Sequence, residues 1–363
     1  MRVVMFSLCV SLFAIAGWSP MALAASVDKS PSKALVIAHR GASGYLPEHS
    51  LAAKALAYGM GADYIEQDIV MSKDDALLVL HDPFLDRVTN VAEVFPGRAR
   101  SDGRYYAIDF TLAEIKKLAM TEIFGKKDGK AVQRYPNRFP MGSSSFQVST
   151  LSEELELIQG LNKSTGKNIG IYPEIKAPAL HRAAGKDISV AVLKELKKYG
   201  YVNQADKVFL QCFDANELER IDRELMPGLE MNLKLVQLIA MTSWGEGMSQ
   251  NALGLEIEPY NYDWMMAPGA AKKIAAYAEG IGPWFPMLLD RESGKANHMV
   301  SEAHAAGLQV HPYTFRADEG QVPKQFKSFE EFVAYFIGQV KVDGVFTDFP
   351  DRARAARDQL LPQ

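Results

Sequence analysis

The stretch Leu35-Val36-Ile37-Ala38-His39-Arg40-Gly41, followed by Tyr64-Ile65-Glu66-Gln67-Asp68, decides how the rest of the chain is read. Four apolar residues form a short buried strand that hands His39 and Arg40 to a loop. Glu66 and Asp68 stand at i and i+2, a spacing that points both carboxylates to one side of a strand. A base, a cation and a two-carboxylate metal seat thus fall within about one βα unit. That combination points to metal-assisted chemistry on a phosphate.

Working outward, Ser50 to Gly59 reads as a helix capped by Ser50, with an apolar stripe of Leu51, Ala55 and Ala57-Tyr58. Ala62 to Val70 follows as a second strand, and Ala76 to Leu80 returns as a short strand ending at His81-Asp82-Pro83. Asp86 to Val148 breaks the rhythm: it is rich in Arg, Tyr, Pro, Gly and Phe, with one clear helical pattern at Leu112 to Leu118. It reads as an inserted subdomain of about residues 86–148 covering one rim. From Thr150 strands and helices alternate again. The expected strands are Asn168–Lys176, Val208–Phe213, Lys234–Ile239, one at Ile281, Gln309–Phe315 and Gly344–Thr347. The expected helices are Leu151–Leu161, Ile188–Tyr199, Ala215–Leu225, Pro268–Ala278, Asn297–Ala306 and Phe329–Phe336. About eight strand–helix pairs with parallel strands predict an α/β fold, a (β/α)8 TIM barrel. A doubly wound sheet is the alternative, but no G-x-G-x-x-G follows any strand.

Among the 363 residues, the first 24 read as a secretory signal peptide. Arg2 is the only charge before Asp28, Val3 to Ala16 is almost wholly apolar, and Ala22-Leu23-Ala24 is a cleavage signal. The expectation is export to the periplasm without a stable membrane anchor. Residues 25–34 are then a leader, 35–355 the barrel domain and 356–363 a C-terminal tail. Export leaves Cys212 as the sole cysteine, so no internal disulfide can form. Removing Arg2 takes the formal net charge from −4 to −5, and with no long basic run nucleic acid is excluded as a partner. A homodimer is compatible with these features.

Barrels of this kind keep their chemistry at the carboxyl ends of the strands. Collected there are His39 and Arg40, Glu66 and Asp68, His81, Glu174 and Lys176, Gln211 and Asp214, His311 and Asp348. Three strand-borne carboxylates, Glu66, Asp68 and Glu174, are costly to bury unless paired or metal-bound, and they suit Ca²⁺ or Mg²⁺. His39 and His81 are the expected acid–base pair. Arg40 offers a donor fork and Lys176 a point charge for phosphate oxygens. His181, His298 and His304 read as structural, and His49 and His311 receive no chemical role. Phe84, Tyr105, Tyr106, Trp284, Phe315 and Phe349 are available to wall a pocket.

Taken in order, His39-Arg40-Gly41, Pro47-Glu48-His49-Ser50, Glu66-Gln67-Asp68, Leu80-His81-Asp82, Pro173-Glu174-Ile175-Lys176, Gln211-Cys212-Phe213-Asp214 and Phe346-Thr347-Asp348-Phe349-Pro350 resemble the signature of the glycerophosphodiester phosphodiesterases. The likeness is strongest to the bacterial periplasmic members, and includes Tyr105–Thr111 and Asn261–Met265. The resemblance implies a TIM barrel with a small insertion that hydrolyses glycerophosphocholine, glycerophosphoethanolamine and similar diesters to sn-glycerol 3-phosphate and the free alcohol. It also implies a divalent ion, foremost Ca²⁺ with Mg²⁺ as the other option, at Glu66, Asp68 and Glu174. His39 and His81 fall at the acid–base positions, and Arg40 and Lys176 at phosphate-binding ones. Glu48-His49-Ser50 reads as a loop and helix start shaping the rim. A phospholipase D-like enzyme of the same barrel group, acting on sphingomyelin or lysophospholipids, would need an exposed apolar face for acyl chains, and no obvious amphipathic membrane-binding helix is present in the sequence. A non-catalytic binding protein would have no use for two histidines and three converging carboxylates.

Overall fold

Eight parallel strands carry the architecture. A computed structural model describes residues 34–245 and 260–361; the expected signal peptide and nearly all of the leader lie outside the described residues. The strands are β1 (Leu35–Ala38), β2 (Tyr64–Met71), β3 (Leu77–Val79), β4 (Phe124–Lys127), β5 (Lys130–Gln133), β6 (Gly170–Ile175), β7 (Phe209–Cys212), β8 (Lys234–Ile239), β9 (Gly280–Pro283), β10 (Gln309–Val310) and β11 (Gly344–Thr347). Their order in the main sheet is β10-β9-β8-β7-β6-β2-β1-β11, with β3 antiparallel on β2. The ends of this path meet through Asp343 N–H to Val310 O (2.9 Å), Phe346 N–H to Pro312 O (3.0 Å) and Phe315 N–H to Phe346 O (2.8 Å). These bonds nearly close the sheet, giving the expected (β/α)8 barrel.

The alternation of each strand sorts its side chains into two layers. One parity lines the barrel interior: Ile37, Tyr64, Tyr172, Phe209, Val236 and Phe346 form an apolar floor, with Tyr172 and Phe209 stacked at 5.0 Å. Two residues further along the same strands come Glu66, Glu174 and Gln211, and then Asp68. The register places Asp68 beside Glu174 and Glu174 beside Gln211. The opposite parity, including Ile65, Ile69, Ile171, Ile175, Leu210 and Leu235, packs outward against the helices.

Local signals set the element boundaries. Ser50 caps the helix Leu51–Gly59 by accepting from Ala53 N–H at 3.2 Å. Thr150 and Glu153 close a capping box on Leu151–Thr165, which runs a turn past its expected end and stops at Gly166 in the left-handed region. The helix expected over Ala215–Leu225 forms, but widens to a π turn over Ile221–Leu225. The one expected over Pro268–Ala278 shrinks to Ala270–Ile274 behind Gly269, which has a φ of 83°. The strand expected over Gln309–Phe315 keeps a regular ladder only at Gln309–Val310, since Pro312 has no N–H to donate. The tail expected from residue 356 also begins later. The helix Pro350–Asp358 carries Arg357 into the core, where its guanidinium reaches Ala34 O at 3.1 Å and the Asp63 carboxylate.

Residues between β3 and Thr150 have an apolar cluster of their own, built from Leu85, Val88, Val91, Tyr105, Phe110, Ile115, Leu118, Met120 and Val148 on a base of Val70, Leu78 and Leu80. The hairpin β4–β5 projects from it. Among the described residues no helix is long and apolar enough to cross a membrane.

Candidate active site

At the carboxyl ends of the strands lies a cavity open to solvent. Its walls include His39, Arg40, Glu66, Asp68, His81, Glu174 and Gln211. Six of the seven expected site residues are therefore brought to one surface. The seventh, Lys176, is not among the wall residues described; its ammonium pairs with Glu174 Oε1 at 2.8 Å and lies 3.9 Å from Asp68 Oδ1.

The two histidines are held alike. His39 Nδ1 is 2.6 Å from Asp348 Oδ1, and His81 Nδ1 is 2.7 Å from Asp82 Oδ1. A carboxylate can only accept, so Nδ1 carries the proton in each ring and Nε2 is left for chemistry. Burial, then the Arg40 charge, pulls His39 down to about 4 against the attraction of Asp348. Burial would raise Asp348, but Arg316, Arg138 and His39 outweigh it and hold its carboxyl well below the usual range. His81 is more open, with about a third of its side chain exposed.

Arg40 adopts a left-handed backbone (φ 59°), which turns its N–H onto the Glu66 carboxylate. Its Nη1 meets both oxygens of Glu48, at 3.0 and 2.9 Å. Its Nε is buried without a hydrogen-bond partner among the described residues, 3.6 Å from Asp68 Oδ2.

The acidic residues resist sharing this space. Burial, reinforced by the Asp68 charge, pushes Glu66 and Glu174 well above the ordinary carboxyl range. Asp68 is itself held low, because Lys176, His81 and His49 overcome its burial. Asp68 Oδ1 and Gln211 Oε1 are buried with no hydrogen-bond partner among the described residues. Crowded oxygens with unused lone pairs fit a hard divalent cation. Among the described residues, His49, Glu66 and Asp68 bring ligand atoms within 4.8 Å of one another, with Glu174 next to Asp68 across the strand pair.

Several residues stand apart from their sequence-based expectation. His49 is buried rather than on the rim, with Nε2 2.8 Å from Asp68 Oδ2. His311 sits in the barrel floor, its Nδ1 2.9 Å from the Tyr172 hydroxyl. Asp214 caps the helix Ala215–Arg220, accepting from Glu217 N–H at 3.1 Å. Of the six aromatics considered, only Trp284 is described on the wall, joined by Phe213, Trp244 and Tyr313. Phe315 and Phe349 are core residues. His181 is structural as expected, bonding Met71 N–H at 3.0 Å.

Sequence reasoning also missed two arginines. Arg316 lines the cavity and binds Asp348 Oδ2 through Nε at 2.9 Å. Arg138, from the segment between β5 and Thr150, reaches Asp348 at 2.5 Å, Asp318 at 2.6 Å and the Ser43 carbonyl at 3.0 Å. For Arg138 the sequence signal was the abundance of arginine in the insertion; Arg316 had none.

Comparison with known proteins agrees with this geometry. The glycerophosphoryl diester phosphodiesterase family model matches residues 39–352. The chain is 50% identical over 353 residues to a glycerophosphodiester phosphodiesterase of Haemophilus influenzae, covering 95% of this chain and 96% of that one. It is 44% identical over 333 residues to one of Treponema pallidum, with 90% and 93% coverage. In fold it matches a structure from Silicibacter pomeroyi (TM-score 0.64, 23% identity, 91% and 95% coverage). It also matches an Oleispira antarctica phosphodiesterase solved with sn-glycerol-3-phosphate (TM-score 0.57, 20% identity, 89% and 96% coverage). The chain is an enzyme and belongs to the glycerophosphoryl diester phosphodiesterase family.

Proposed function

We propose that this enzyme hydrolyses glycerophosphodiesters such as glycerophosphocholine and glycerophosphoethanolamine to sn-glycerol 3-phosphate and the free alcohol. One observation carries the reading. Two histidines, each tethered at Nδ1 by a carboxylate, border the same cavity as Arg40 and three crowded acidic residues. Glu66, Asp68 and Glu174 are the residues that would hold a divalent cation, foremost Ca²⁺. When bound, that ion would neutralise the non-bridging phosphate oxygens. Arg40, on the same cavity wall, adds positive charge beside them, with the charge of Lys176 behind Glu174.

His39, kept neutral by burial, is the base. Its Nε2 takes a proton from the attacking O–H, either of water or of the neighbouring glycerol hydroxyl, as the new P–O bond forms; in the second case the cyclic phosphate so formed is opened by water to glycerol 3-phosphate. His81 Nε2–H gives its proton to the departing alkoxide as the other ester bond breaks. The aromatic wall of Phe213, Trp244, Trp284 and Tyr313 excludes water from one side. The amino-terminal 24 residues are proposed to direct the chain to the periplasm and to be cleaved there, which fractionation and amino-terminal sequencing would check.

The deciding experiment is a coupled assay of glycerol 3-phosphate release from glycerophosphocholine, before and after exhaustive chelation and after adding back Ca²⁺ or Mg²⁺. Release that needs the ion is expected. Undiminished release after chelation would remove the cation, and absence of release with the ion present would remove the substrate.

A further inference from the structure

The two oxygens of Asp68 have different surroundings. Oδ2 is 2.8 Å from His49 Nε2, whereas Oδ1 is buried with no hydrogen-bond partner among the described residues. On the other side of the imidazole, His49 Nδ1 is 3.1 Å from Lys54 Nζ. An ammonium has hydrogens to give and no lone pair to offer, so Nδ1 must accept. The ring proton therefore sits on Nε2, where it is donated to Asp68.

Lys54 has no contact with solvent. It lies 3.1 Å from Glu154 Oε2, also fully buried, and donates to the Glu66 carbonyl. Glu154 in turn takes a hydrogen bond from Ser149 Oγ at 2.8 Å. A buried Lys–Glu pair is an expensive way to join two helices that apolar residues could join as well. What the pair delivers here is one N–H of defined direction on one oxygen of Asp68.

We propose that Glu154, Lys54 and His49 form a positioning relay: Lys54 sets the tautomer of His49, and His49 holds Asp68 so that Oδ1 is presented to the divalent cation. This rests on the cation reading given above. His49 lies within ligand reach of Glu66 and Asp68, yet both its nitrogens are occupied, so it acts through Asp68 and is not itself a ligand. Outer partners that orient a metal ligand typically change affinity by 10- to 100-fold when removed.

The test is calorimetric titration of chelator-stripped protein with Ca²⁺ alone, alongside melting with and without the ion. His49→Leu, and Lys54→Met combined with Glu154→Gln so that no buried charge is stranded, are expected to weaken Ca²⁺ binding about 10- to 100-fold. At saturating Ca²⁺ the KM for glycerophosphocholine should stay within about twofold of wild type. His49→Gln, whose amide can donate to Asp68, should recover most of the affinity. If His49 were a ligand, loss of the Lys54 charge would leave Ca²⁺ binding unchanged or tighter, which would overturn the relay. Melting points lowered equally with and without the ion, at unaltered affinity, would reduce the trio to scaffold and overturn it too. Wild-type protein that binds no divalent ion would overturn the cation reading itself, an outcome distinct from a wild type that binds and variants that bind equally.

Discussion

Asp348 Oδ1 stands 2.6 Å from Nδ1 of His39, while the other oxygen of the same carboxylate is held by Arg138 and Arg316. The carboxylate thus fixes the tautomer of His39 and is itself fixed from two further segments of the chain. Asp348→Asn can turn an amide N–H toward Nδ1 and favour the wrong tautomer. The expected result is a fall in kcat of roughly 100- to 10,000-fold with little change in KM. Steady-state kinetics with circular dichroism as a folding control measure it, and near wild-type kcat would refute the role.

Arg138 ties the inserted segment to the barrel by a buried fork on Asp318 and Asp348. Removing it leaves the Asp318 carboxylate without its fork and leaves Asp348 to Arg316 and His39 alone. Arg138→Ala is expected to cost about 3–5 kcal/mol, read from urea unfolding midpoints. Arg138→Lys should recover only part, because an ammonium cannot serve both carboxylates with the planar fork. Equal midpoints for Arg138→Ala and wild type would show that the fork contributes nothing to stability.

The pH profile of kcat/KM should reflect the environment of His39. A general base must be deprotonated, and burial with the Arg40 charge lowers this one from 6.5 to about 4. Activity should therefore persist as the pH falls past 6.5 and decline only near 4. An acid limb centred at 6.5 would transfer the base role to a less buried group.

Two histidines away from the chemistry make stability pH-dependent. Burial lowers His181 and His311 to about 4 each. Below about 6.5 the unfolded chain takes up protons that the folded chain refuses until about 4. Their contribution is thus complete above 6.5 and is lost as the pH falls through that window. The loss is on the order of 3 kcal/mol for each group at most. His311→Gln, which keeps an acceptor for Tyr172, should flatten the fall in stability between pH 6.5 and 4.5, measured by denaturant titration at several pH values.

Much of the site was legible in the sequence. The i, i+2 spacing of Glu66 and Asp68 survives as two inward-facing carboxylates because strand alternation is a local rule. His39 at the exit of an apolar run, and His81 after the return strand, reach the cavity because strand ends in a barrel share one face. His49 and Lys54 were not legible in their roles. A lysine in a short helix looks the same whether it meets water or Glu154, and only packing of Leu51–Gly59 against Leu151–Thr165 decides. Lys176 reads from the sequence either as a phosphate contact or as the partner that neutralises Glu174, and the pairing with Glu174 is visible only in the fold.

By itself, the sequence determined the strand–helix alternation, the inward carboxylates and the placing of His39 and His81 at strand ends, since these follow from apolar periodicity and from the chemistry of residue types. Tertiary structure alone decided that Asp348 serves His39, that Arg138 reaches it from the insertion, and that Phe213, Trp244 and Tyr313 wall the cavity. Those contacts join residues up to 309 positions apart. No local pattern encodes them, because they exist only once the barrel brings its last strand beside its first.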